Sequence, residues 1–101
     1  MSVKVGLVVR IVAKSGKEEE VAAFLAGAQP LAQAEDFTPA WFALRAGATV
    51  FYIVDAFAAD SDRQRHLKGA IAAALFEKAP ELLAEAPSVE MVDVLASKLP
   101  G

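Results

Sequence analysis

The chain has 101 residues, 55% of them hydrophobic and 23% charged, with a formal net charge of −3 and no cysteine. That length suits a single domain spanning residues 1–101. The lack of cysteine excludes a disulfide framework, a thiolate nucleophile and a cysteine-ligated zinc, and the ten scattered basic residues give no footprint for nucleic acid. The longest charge-free stretch, residues 21–34, is interrupted by Gln29 and Pro30 and falls short of the about 20 apolar residues that a membrane span needs. The N-terminus carries no signal-peptide pattern, so a cytoplasmic protein with no nucleic-acid or membrane partner is expected.

Residues 3–13 are rich in Val and Ile, which suit a pleated surface, and read as a first strand. Lys14-Ser15-Gly16 breaks that pattern. Ser15 and Glu18 stand in capping-box register, and Glu18, Glu19 and Glu20 suit the positive end of a helix. Val21, Phe24, Leu25, Ala28 and Leu31 recur at helical spacing, and Gly27 and Pro30 predict an end or kink near Gln29. Residues 39–46 and 50–57 form two apolar, aromatic-rich runs around Gly47-Ala48-Thr49, a hairpin signal.

A second helix starts at Asp60-Ser61-Asp62, with Ser61 and Gln64 in capping-box register. His66, Leu67, Ala70, Ile71, Ala74 and Leu75 make its apolar stripe, and a further helical turn is expected after Pro80. Residues 88–98 close the chain as a fourth strand. The order is βαββαβ, an α+β, ferredoxin-like arrangement with a four-stranded antiparallel sheet.

A hairpin loop of Gly47-Ala48 would place Phe42 opposite Ile53 and Leu44 opposite Phe51, on the side of Asp55 and Phe57. Trp41, Ala43, Arg45, Tyr52 and Val54 would take the other side. A three-residue loop would reverse one strand, because a slip by one residue turns every side chain over. Both faces of the sheet are apolar, yet two helices cover only one. The other spans roughly 20 by 20 Å, near the largest apolar patch that a monomer exposes. The economical solution is a homodimer through the open sheet face, burying on the order of 800 Å² per partner.

Few residues look like chemistry. His66 is the only histidine, and an unperturbed imidazole titrates near neutral pH. Asp55 lies on an otherwise apolar strand, where a carboxylate is costly unless paired. Together they suggest either a general base with its orienting carboxylate or a buried tie between helix and sheet. Trp41, Tyr52 and Phe57 offer aromatic surface for an apolar aromatic small molecule, or equally for core and interface. Arg45 and Arg10 could neutralise an anionic ligand or pair with carboxylates. One histidine and scattered carboxylates make no metal site, and there is no glycine-rich phosphate loop.

Several features together resemble the antibiotic biosynthesis monooxygenase superfamily of dimeric α/β-barrel proteins. They are the Lys-Ser-Gly-Lys-Glu-Glu-Glu helix start, the acidic Asp55 in the third strand with Phe57 two residues on, the helix-borne His66, and the closing Val92-Asp93-Val94-Leu95. The resemblance implies a dimeric α/β barrel and, among the activities of that superfamily, oxygenation without metal, flavin or other cofactor. Its haem-degrading branch uses a strand asparagine and a tryptophan near the second helix. This chain has no asparagine, and Phe57 stands in the tryptophan's place, so haem degradation is not implied.

The expected activity is therefore cofactor-independent oxygenation of a phenolic or quinol-like compound. His66 would take the phenolic proton and Asp55 would orient it, while Trp41, Phe57 and Tyr52 shape the pocket. The alternative is a non-catalytic binding or stress-associated dimer in which Asp55 and His66 are structural.

Overall fold

The computed structural model describes residues 2–100. Its elements are β1 (Val5–Val12), α1 (Glu18–Gly27), α2 (Gln29–Ala34), β2 (Ala40–Ala46), β3 (Val50–Phe57), α3 (Asp60–Leu67), α4 (Ala70–Leu82) and β4 (Ser88–Asp93). The strands form one antiparallel sheet in the order β2-β3-β1-β4, the ferredoxin-like arrangement expected from the sequence. Among the described residues, no helix is long and apolar enough to cross a membrane.

Period-2 alternation decides which side chains the helices cover. Leu7, Val9 and Ile11 of β1 and Phe51, Ile53 and Phe57 of β3 are buried, and Val21, Leu25, Ile71 and Leu75 meet them from the helices. Of the expected helical stripes, Val21, Leu25, Ala28, His66, Ile71 and Leu75 are buried, whereas Leu31 and Ala70 are exposed, and two further details differ. Neither Ser15 nor Ser61 caps a helix: Lys17 and Ala59 hold the N-cap positions without a side-chain bond. The second helix is also not continuous. It breaks between α3 and α4 at Gly69, whose extended backbone caps α4, and α4 then runs through Pro80 to Leu82. The expected kink near Gln29 is present as the boundary between α1 and α2.

The hairpin register needs correction. Ala46 pairs with Val50, so the loop is Gly47-Ala48-Thr49, with Gly47 in the left-handed region at φ 79°. Phe42 consequently faces Val54, and Leu44 faces Tyr52. All of β2 is turned over relative to the two-residue reading. Trp41 and Ala43 pack with the helix-side core, whereas Phe42 and Leu44 join Tyr52 and Val54 on the uncovered face, where they are 53% and 47% exposed. This reversal sets Trp41 directly across from Asp55.

β4 is shorter than the sequence suggested. It ends at Asp93, after which only the Val94 N–H continues the ladder, donating to Lys4 O.

Candidate functional site

Asp55, His66 and Glu35 converge between the sheet and the helices. Asp55 projects from β3 into the helix-covered side because it shares the phase of Phe51, Ile53 and Phe57. His66 lies in the last turn of α3, where a cation is favoured by the helix dipole. Glu35 is the residue at which α2 ends, its backbone already extended. His66 Nδ1 is 2.7 Å from Glu35 Oε1, and Nε2 is 3.0 Å from Asp55 Oδ2. The imidazole thus lies between two carboxylates, with His66 and Asp55 side chains 5% and 0% exposed.

The two contacts differ in kind. The Glu35 contact has hydrogen-bond geometry, and Thr38 Oγ1 donates to the same carboxylate oxygen at 2.8 Å. The Asp55 contact is a buried ion pair through Oδ2, and among the described residues no group donates to Asp55 Oδ1. Burial of the ring disfavours its charged form. The contacts with Asp55 and then Glu35 outweigh that burial, and the His66 pKa is raised above its ordinary value.

Surrounding residues fix this arrangement. The Phe57 ring lies 5.3 Å from the imidazole at 46°. Gly69 lets the α3–α4 junction close on Glu35, since a Cβ there would come within 3.0 Å of Glu35 Oε2. Arg65, next to His66, stacks its guanidinium 4.1 Å from the centre of the Phe37 ring, a second grip of α3 on the segment that carries Glu35. Arg63 donates to Gly6 O and Val92 O, tying α3 to the β1–β4 edge.

A cavity of about 370 Å³ opens beside this unit, with walls that include Ala32, Glu35, Thr38, Pro39 and Trp41. The space that touches His66 itself, beneath α4 and beside Leu7 and Ile53, is only about 30 Å³, room for a water but not an aromatic ring. Glu35 and Trp41 are therefore the members of the site that meet the larger cavity.

Of the residues singled out from the sequence, Asp55, His66 and Phe57 are brought together, and Trp41 stands beside Asp55. Tyr52 projects from the opposite face of the sheet, opposite Leu44, and does not reach this site. Arg45 is held by Glu19 at 2.8 Å and lies over Phe51, and Arg10 is held by Glu85 at 3.1 Å; neither faces the cavity. Glu35 escaped the sequence reading because nothing in Glu35-Asp36-Phe37 distinguishes it from a solvated connection. The only available signal was an acidic residue just beyond an apolar stretch. Among the described residues, no group of three or more His, Cys, Asp or Glu is arranged to hold a metal ion.

No protein-family model and no curated protein matches the chain. Among solved structures it is similar to the NE2512 protein of unknown function from Nitrosomonas europaea, at 52% identity and TM-score 0.96 over 98% of this chain and 96% of that one. It also resembles a putative antibiotic biosynthesis monooxygenase from the same organism (15% identity, TM-score 0.81, covering 94% and 93%). A third similar structure, PA3566 from Pseudomonas aeruginosa, shares 19% identity at TM-score 0.80, covering 95% of this chain and 98% of that one.

Proposed function

We propose that this chain, which belongs to one family with the NE2512 protein of N. europaea and has the fold of the antibiotic biosynthesis monooxygenases, is a cofactor-independent monooxygenase acting on a phenolic or quinol-like small molecule. The observation that carries the reading is the Asp55–His66–Glu35 unit, whose Glu35 lines a cavity of about 370 Å³. Two carboxylates on one imidazole raise its proton affinity. The unit can take the proton of a bound phenol, leaving the electron pair on the ring oxygen. The electron-rich phenolate then reacts with dioxygen at a ring C–H. One oxygen atom stays on the ring, the other leaves as water with the two hydrogens removed, and a quinone results with dioxygen as the sole oxidant.

The uncovered sheet face, with Phe42, Leu44, Tyr52 and Val54, supports a homodimer packed through that face. An oxygen-electrode screen of phenols and quinols tests the activity. Turnover that persists unchanged in His66→Ala excludes the base role.

A second reading is favoured by one observation, the space of only about 30 Å³ at the imidazole. In it the chain is a non-catalytic, small-molecule-binding dimer whose charged trio is structural. Binding of aromatic ligands without oxygen uptake, together with a large stability loss in both Asp55→Ala and His66→Ala, would favour it.

A further inference from the structure

Glu35 meets His66 Nδ1 at 2.7 Å and also lines the cavity of about 370 Å³, which neither Asp55 nor Phe57 reaches. The ring itself has only about 30 Å³ beside it. This arrangement requires the charged ring. An imidazolium carries an N–H on each nitrogen and serves both carboxylates, whereas a neutral imidazole has one N–H and a lone pair at the other nitrogen. Loss of the proton leaves one carboxylate facing a lone pair, so one of the two contacts has to open. Asp55 on β3 and Glu35 at the end of α2 are the charged groups that act on the ring. From β1 and α4 it meets an apolar wall that includes Leu7, Ile71 and Leu75. On α3 itself, Arg63 is held by Asp60, Gly6 O and Val92 O, and Arg65 lies on Phe37.

We propose that Glu35 is a gate controlled by the ring proton: when His66 becomes neutral, Glu35 turns off Nδ1 and the cavity opens onto that nitrogen, which is the base. The proposal rests on the monooxygenase reading above and adds the reacting atom and the route to it. Exposure decides which contact opens. The Asp55 side chain is 0% exposed, so releasing it would strand a buried charge. Glu35 lies at the end of α2 with its side chain 12% exposed, and Thr38 Oγ1 donates to it from the cavity wall at 2.8 Å. It keeps a partner and can reach water when the ring lets go. The Glu35 contact is the shorter, 2.7 against 3.0 Å, yet that difference counts for less than the desolvation of an unpaired carboxylate. The neutral ring therefore keeps Nε2–H for Asp55. A phenol in the cavity then donates to the Nδ1 lone pair: its O–H bond breaks, an N–H bond forms, and the electron pair stays on the phenolic oxygen. The raised pKa of His66 puts the opening above about pH 6.5, where a free imidazole titrates.

His66 is the only histidine, so nitrogen-15 spectra of the imidazole show which nitrogen holds the proton once the ring is neutral. The expected form is Nε2–H, with Nδ1 bare. An Nδ1–H form overturns the gate, because the ring would then have kept Glu35 and released Asp55. A ring that stays charged until the protein unfolds overturns it too. Access is read with 2-naphthol, below its own pKa throughout. It should shift the ring signals and bind about tenfold more tightly above the midpoint of the His66 titration than below it, the worth of one hydrogen bond. Glu35→Ala should remove most of that difference. Equal binding and equal shifts on both sides of the midpoint overturn the gate, as does a difference that survives intact in Glu35→Ala. If that variant does not fold, the wild-type tautomer and the wild-type binding still decide. An Nε2–H ring that never responds to naphthol upholds the release of Glu35 and removes the phenol from the reading above.

Discussion

Glu35 Oε1 lies 2.7 Å from His66 Nδ1 although 31 residues separate the two. The contact joins the end of α2 to the end of α3, and with Asp55 on the far side it encloses the imidazole between two negative charges. Nδ1 and Nε2 are thereby engaged, which restricts ring rotation.

The pH dependence of stability follows from this contact. With a folded-state pKa above the unfolded value, the folded protein binds the His66 proton more tightly than the unfolded chain does. The stabilisation is complete below about pH 6.5, the value of a free imidazole, and is lost as pH rises through the folded value. Urea denaturation should therefore show stability falling as pH rises above neutrality. Glu35→Gln should flatten the fall, and an NMR titration of the single imidazole should place its pKa lower than in the wild type. An unchanged titration in that variant would show that Glu35 does not hold the proton.

Removing the imidazole is expected to be costlier than neutralising one carboxylate. His66→Ala leaves Asp55, whose side chain is 0% exposed, without its cation. Breaking a buried pair from one side costs about 3–5 kcal/mol, whereas Asp55→Asn keeps the shape and removes the charge. Chemical denaturation should rank His66→Ala as less stable than Asp55→Asn.

Gly6 is irreplaceable for a steric reason. A Cβ there would lie 2.5 Å from Asp55 O, on the backbone of the neighbouring strand. Gly6→Ala must push β1 and β3 apart at the residue that carries the carboxylate, at a cost of about 1–3 kcal/mol by analogy with overpacked cores. Thermal denaturation measures the loss, and the His66 resonance should shift with it.

The uncovered face carries a prediction about assembly. Phe42→Glu introduces charge on the proposed dimer interface without entering the helix-side core. Light scattering on a sizing column should give a dimer for the wild type at micromolar concentration and a monomer for Phe42→Glu. A wild-type monomer would rule out the interface.

Much of this was legible in the chain. Alternation in residues 3–13 and 50–57 located two strands because one face of each is buried, and Asp55 stood out because burial makes a lone carboxylate expensive. The β2 register was not legible, since it turns on whether Thr49 belongs to the loop or the strand, and one residue decides the face of Trp41. Glu35 was hidden for a different reason: its partner is set by where the end of α2 meets the end of α3, and no local pattern records that.

The central claim is that Asp55, His66 and Glu35 together take a proton from a bound phenol. The most direct measurement is the absorption spectrum of 2-naphthol bound to the protein, recorded at a pH above the folded-state pKa of His66 and below the ligand's own pKa in water. The account predicts that the bound ligand shows the phenolate band and that His66→Ala abolishes it. A bound ligand that keeps the neutral phenol spectrum, or a phenolate band that persists in His66→Ala, would contradict it.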